Sequence, residues 1–243
     1  MSDLTDRQTQ ILKAIIEEYI NTAEPVGSET LDKKYNLGIS PATIRNEMVR
    51  LTQTGYLKQP HTSAGRTPTP VALKLYVNNL MKPHDLSVAE EVKVKQDIWE
   101  YRNRMEKLLR EATRELAEQT KTMSLAATDE GDIYAAGVSN ILDMPEFFDI
   151  DMTKHLLNTL DEYSYWWNIF SRLESGEDPV TVFLGEASGS RILSQCGGVF
   201  IRFVSPSHQG AIGVVGPSRL NYPRIVPMVR YMGQLIKEVA PNW

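Results

Sequence analysis

The sequence predicts an α+β protein in which helical and sheet-forming stretches are segregated along the chain. Two observations carry this. Up to about residue 123 the apolar residues recur at helical spacing, interrupted by one small extended pair. Beyond about 129, apolar runs rich in β-branched residues mix with helical patterns in no strict β-α-β alternation, which points to a largely antiparallel sheet. At 243 residues, 42% hydrophobic and 23% charged, the chain has the length for one or two domains and an ordinary globular composition.

The first helix opens at Thr5, which with Gln8 forms a capping box, and Leu4 stands at the staple position. Ile11, Leu12, Ile15, Ile16 and Tyr19 make its apolar face, with Lys13, Glu17 and Glu18 expected outward and an end near Asn21. After Pro25 and Gly27 a short second helix is expected, capped by Ser28, burying Leu31 and Tyr35, and closed by Asn36-Leu37-Gly38. The third helix has the strongest start: Ser40 as N-cap and Pro41 at the first helical position. Ile44, Met48 and Leu51 form its core face and Gly55 its stop. Thr43, Asn46, Glu47 and Arg50 are expected to point away from that core, with Arg45 on the flank. Residues 56–59 and 66–68 read as short extended segments around the polar loop 61–65, and a fourth helix over 71–81 presents Leu73, Tyr76, Val77 and Leu80.

This order is that of a winged helix-turn-helix over residues 1–82. A capped helix of this kind enters a major groove about 12 Å wide. The candidate DNA-binding residues are therefore Ser40, Thr43, Arg45, Asn46 and Arg50 on the helix, with His61, Thr62, Ser63 and Arg66 from the wing as donors to phosphate or a minor groove. The net charge of −5 hides an asymmetry that agrees with this reading. Residues 28–82 hold eight basic and three acidic residues, and over 33–82 Glu47 is the only acid. The same architecture also serves protein-interaction modules, and most exposed helical arginines are simply solvated.

From Leu86 to Met123 a helical pattern is expected, a linker and dimerisation helix within 83–128 that begins after Pro83-His84-Asp85. Ile98, Tyr101, Met105, Leu108 and Ala112 follow a spacing suited to a helix–helix seam between two copies. The competing use of the same stripe is packing against the chain's own C-terminal domain. In that domain, 129–243, strands are expected at 133–138, 180–184, 198–204 and 211–215, and helices at 147–160, 163–173 and 224–239. Pro227 should start or kink the last of these.

Several functions are excluded or disfavoured. No stretch reaches the ~18 apolar residues of a membrane helix, and MSDLTDRQTQ lacks the features of a secretory signal. The one cysteine, Cys196, fits a reducing cytoplasm and reads as a small buried residue. The histidines 61, 84, 155 and 208 are scattered, with no metal-ligand spacing. The stretch 185–189 lacks nucleophile-elbow spacing, and 213–217 reads as a strand ending in a turn. The acidic pairs Asp129/Glu130 and Glu177/Asp178 read as turn residues. The expectation is no enzyme, no metal and no cofactor.

Residues 4–69, and within them EPVGS, SPATIRNEM, GYL and QPHTSAGR, resemble the DNA-binding domain of the heat-inducible transcription repressors called HrcA. The segments 133–149 and 210–229 are similar to further parts of that family. The resemblance implies a cytosolic repressor of chaperone genes that binds an inverted-repeat operator in double-stranded DNA as a homodimer. It also implies that the chaperonin GroEL assists the repressor into its active form, and that the C-terminal domain is GAF-like. One departure stands out: the family carries a dimerising domain inserted before the I-Y-x-x-G segment, whereas here Met123–Thr128 runs directly into Asp129-Glu130-Gly131-Asp132. The expected GAF-like domain is therefore truncated, and a weak homodimer is expected. Two alternatives remain beside the repressor: a winged-helix regulator whose α+β domain senses a small metabolite, and an adaptor that no longer binds DNA.

Overall fold

The computed structural model describes residues 4–173, 180–185 and 192–240, and the chain forms two compact units, 1–82 and 83–243. The pair Glu177/Asp178 and positions 186–189 of the stretch singled out above lie outside the described residues.

The first unit contains α1 (Asp6–Thr22), α2 (Ser28–Lys34), α3 (Pro41–Gln53), β1 (Leu57–Lys58), β2 (Thr67–Pro68) and α4 (Pro70–Leu75). The capping box at Thr5 and Gln8 is formed in both directions. Ile11, Leu12, Ile15, Ile16, Leu31, Ile44, Leu51 and Leu73 are completely or almost completely buried together. Three expectations need correction. Glu18 is buried, not outward: Lys34 pairs with it and the Tyr35 hydroxyl donates to it at 3.4 Å. Gly27 is the N-cap of α2, and Ser28 is its first, buried residue. The helix expected over 71–81 is α-helical only to Leu75 and continues as one π-helical stretch, Tyr76–Leu80, which buries Tyr76.

The second unit contains α5 (Val88–Trp99), α6 (Met105–Thr120), β3 (Met123–Thr128), β4 (Ile133–Ala136), α7 (Ile150–Asn158), α8 (Tyr163–Phe170), β5 (Val180–Leu184), β6 (Cys196–Val204), β7 (Gln209–Pro217) and α9 (Tyr222–Val239). Among the described residues its strands form one antiparallel sheet in the order β4-β3-β7-β6-β5. Met123, Leu125, Ala127, Phe200 and Val215 join Phe147, Met152, Trp166 and Phe170 in the core on one face. Trp166 donates its indole N–H to the Thr159 carbonyl at 2.9 Å, and Phe170 and Phe200 meet edge to face at 5.0 Å. The other face lies under α6 and α9. With both faces covered, β3 is buried at every position, so it carries no alternation.

The helical pattern expected over 86–123 is divided at 100–104 into α5 and α6, which pack on each other, and its last residue, Met123, opens β3. The stretch 83–128 is accordingly part of the second unit and not a separate linker. Of the seam candidates, Ile98, Leu108 and Ala112 are buried within this chain, while Tyr101 and Met105 are half-buried. The reason is economy of apolar surface: a stripe facing a sheet-covering core is removed from water by folding back, without a second chain. At the place of the implied insertion the chain closes as a hairpin between β3 and β4. The Thr128 N–H donates to the Asp132 carbonyl at 3.2 Å, and Gly131 takes φ +96 at the turn.

Pro227 lies inside α9, which begins at Tyr222. Its missing N–H frees the Pro223 carbonyl, and the His84 N–H donates to that oxygen at 2.8 Å. Cys196 is buried, and burial, followed by the Glu146 charge, pushes its thiol up to about 12. In the unfolded chain the thiol ionises near its ordinary 9. The unfolded state thus loses the proton first, so this contribution to stability is complete below about pH 9 and is lost as pH rises toward 12. Denaturation followed from pH 8 to 12 should show that decline, smaller in Cys196→Ala, and a thiol reagent should label the native chain at neutral pH only as fast as it unfolds. Prompt labelling of the folded chain would contradict the burial.

Candidate nucleic-acid interface

The interface begins with how α3 is started and how it is held. Ser40, in extended backbone, accepts from the Thr43 N–H at 3.2 Å, and its hydroxyl lies 3.0 Å from that of Thr43. Both residues thus help build the helix start, and Thr43 is half-buried. Ile44, Met48 and Leu51 face the core as their spacing requires. The fourth buried residue is Glu47, which the sequence placed outward. The Gln8 side-chain amide donates to it at 3.1 Å, Arg50 approaches at 3.3 Å and Arg7 at 4.0 Å. A carboxylate next to an apolar core is kept there only by such partners.

Turning Glu47 inward sets the outward face. The exposed residues of α3 are Ala42, Arg45, Asn46, Val49, Arg50 and Gln53, a stripe at i, i+3, i+4, i+7, i+8 and i+11. Arg45 is central rather than flanking, and no acid interrupts the stripe. Arg50 contacts Glu47 from its edge while its side chain stays 65% exposed.

The wing is joined to the helices by backbone. β1 and β2 pair antiparallel, Leu57 opposite Pro68 and Lys58 opposite Thr67. Next to them Val26 and Arg66 exchange two N–H···O bonds of 2.9 Å, tying the wing to the link between α1 and α2. This approach is so close that a Cβ on Gly65 would lie 2.4 Å from the Val26 carbonyl oxygen. In the loop, the Gln59 amide donates to the carbonyls of Thr62 and Ala64 at 2.9 Å each. His61, Thr62 and Ser63 are exposed, with His61 Nδ1 3.2 Å from the Ser63 hydroxyl. Arg66 differs from the expectation of a projecting cation. It is half-buried, donates from Nε to Thr52 Oγ1 at 3.1 Å, and reaches the Ala64 and Gly65 carbonyls at 3.5 and 3.4 Å.

Between α3 and the wing lies a concave cleft of about 420 Å³, whose walls include Arg45, Val49, Gln59, Thr62, Ser63 and Arg66. The structure thus brings Arg45 together with Thr62, Ser63 and Arg66, and places Asn46 and Arg50 on the adjoining exposed face of the same helix. Val49, Gln53 and Gln59 were missed from sequence. Val49 and Gln53 share a face with Arg45 and Asn46, a helical-spacing signal obscured by placing Glu47 outward. Among the described residues no group of three or more His, Cys, Asp or Glu is placed to hold a metal ion, and no helix is long and apolar enough to cross a membrane.

Residues 48–226 match the family described as HrcA protein C terminal domain. The chain is 27% identical to the heat-inducible transcription repressor HrcA of Ruminiclostridium cellulolyticum, over 97% of this chain and 97% of that one. It is 28% identical to the protein of the same name from Desulforudis audaxviator, over 97% and 98%. These alignments run over 337 and 336 positions, more than the 243 residues present here, so the shortfall is internal. A crystal structure titled only as a hypothetical protein superposes with a TM-score of 0.75 at 19% identity, over 98% of both chains, which shows a shared fold.

Arg66 and Gly65 should behave as structural anchors. Arg66→Ala removes the tie to Thr52 and should lower stability in urea by about 1–2 kcal/mol, whereas Arg45→Ala should leave stability within about 0.5 kcal/mol of the parent. Gly65→Ala sets a Cβ against backbone and should cost at least as much as Arg66→Ala. Equal denaturation curves for Arg66→Ala and the parent would mean that the wing is held by its backbone alone.

Proposed function

The chain belongs to the HrcA family, and from that premise we propose that it is a sequence-specific repressor of heat-shock (chaperone) genes that binds an inverted-repeat operator as a dimer. In this reading α3 enters the major groove and the wing loop at 61–65 contacts the flanking backbone or minor groove. One observation carries the reading: the solvent face of α3 presents Arg45, Asn46 and Arg50 without an acid among them, because Glu47, the only acid over residues 33–82, is turned inward. A twofold operator needs two copies related by a twofold axis. The stripe at Ile98, Leu108 and Ala112 is buried within the chain, so the dimer contact is sought elsewhere on the surface. Assistance from the chaperonin GroEL belongs to the same proposal and rests on family resemblance.

The sensor alternative has one observation in its favour, an apolar cleft of about 330 Å³ between α8 and β5 with Tyr165, Ile169, Leu173 and Phe183 in its walls. Its size is at the lower end of small-ligand sites. A metabolite-gated regulator would bind operator differently with and without a small molecule, whereas the repressor proposed here needs no small molecule to bind it.

Binding to an inverted-repeat duplex across a salt series tests the proposal. Arg45→Ala and Arg50→Ala should weaken binding to every duplex, each reducing the slope of log K against log salt by about one per lost phosphate contact. Asn46→Ala should instead erode discrimination between operator and random duplex by about 1–3 kcal/mol. Parent-like binding by all three variants would remove α3 from the interface.

A further inference from the structure

Val49 has no structural use that explains it. It is 40% exposed on the outward face of α3, among Arg45, Asn46, Arg50 and Gln53. A β-branched residue at an exposed helical position is a poorer helix former than Ala, Lys, Glu or Gln. The core of this unit is closed beneath it by Met48 and Leu51, so Val49 adds little to packing. A lone exposed valine is ordinary on a protein surface, but this one stands in the wall of the cleft between α3 and the wing. Apart from the helix-starting Ala42, it is the apolar member of an otherwise polar stripe.

We propose that Val49 reads the 5-methyl group of a thymine in each operator half-site, a specificity-determining contact that rests on the DNA-binding reading above. The chemistry is selective. In the major groove the methyl group is the apolar feature that separates thymine from the other bases, and an aliphatic side chain is its complement. Polar neighbours satisfy donors and acceptors on adjacent base edges and phosphates, while Val49 Cγ atoms cover the methyl and remove both from water. The spacing fits. Val49 lies three and four residues beyond Asn46 and Arg45 on one face, about 4.5 and 6 Å along the helix axis, so its thymine is expected within one or two base steps of the base facing Asn46.

The test uses a duplex enriched over the full chain from a random-sequence library. Its thymines are replaced by uracil, symmetry-related positions together, since uracil preserves pairing and lacks only the methyl. Val49→Ala is the matching variant, and it should fold as the parent does, because the side chain is exposed and alanine favours the helix. Expected is one pair of positions at which uracil weakens the parent about fourfold per half-site, the size of one buried methyl. Val49→Ala should lose the same factor on the thymine duplex and nothing more on that uracil duplex. Parent-like affinity of Val49→Ala, or a loss that persists unchanged on every uracil duplex, overturns the assignment while leaving DNA binding intact. Failure of the parent to enrich any duplex overturns the DNA-binding reading, and this contact with it.

Discussion

The Glu47 carboxylate is the constraint on which the outward face of α3 depends. It is buried where α3 meets the start of α1, and Gln8, Arg50 and Arg7 surround it. Gln8 contributes twice: its oxygen accepts from the Thr5 N–H to complete the cap of α1, and its amide nitrogen donates to Glu47. The start of one helix is thereby linked to the rotational setting of another. Rotating α3 to expose Glu47 would strand the Gln8 amide and draw Arg45 toward the core. The acid-free stripe is thus a consequence of where one acid is satisfied. Glu18 follows the same pattern between α1 and α2, held by Lys34 and the Tyr35 hydroxyl, whose own ionisation burial and that carboxylate push up to about 12.

In the second unit the corresponding constraint is a sheet with apolar residues on both faces. Each face needs a cover, and α6 with α9 on one side and α7 with α8 on the other provide it. This requirement explains the use of the α5–α6 stripe within the chain and the close approach of Gly233 to Ile201. It also bears on the place where the resemblance implies an inserted domain. Because β3 and β4 pair directly through the turn at Gly131, the five-stranded sheet is continuous, and no strand is left unpaired at that turn. The turn is tied in further by the Asp129 N–H donating to the Gln209 carbonyl at 2.9 Å, which couples it to the start of β7.

Much of the first unit was legible because its signals are local. Thr5 with Gln8, Ser40 with Pro41, and the left-handed glycines 38 and 55 act within a few residues of themselves, and each ends or starts an element near where it was expected. The core faces of α1 and α3 follow from helical spacing for the same reason. In the second unit β3 was illegible. Met-Ser-Leu-Ala-Ala-Thr carries neither alternation nor β-branched enrichment, and a strand buried on both faces leaves no period to detect. The break at 100–104 has no glycine or proline to announce it.

By itself, the sequence determined the order of elements in the first unit, the helix that meets DNA in the proposed reading and the boundary at residue 82. These rest on spacing, capping and composition, which are properties of neighbouring residues. Only the tertiary structure decided that Glu47 and Glu18 lie inside, that Arg66 ties the wing to α3, that the stripe around Leu108 packs within its own chain, and that His84 satisfies the carbonyl freed by Pro227. Each of these depends on a partner more than a dozen residues away, or on an entire sheet. A side chain's burial is set by whether such a partner can satisfy its polar atoms, and helical periodicity contains no record of that.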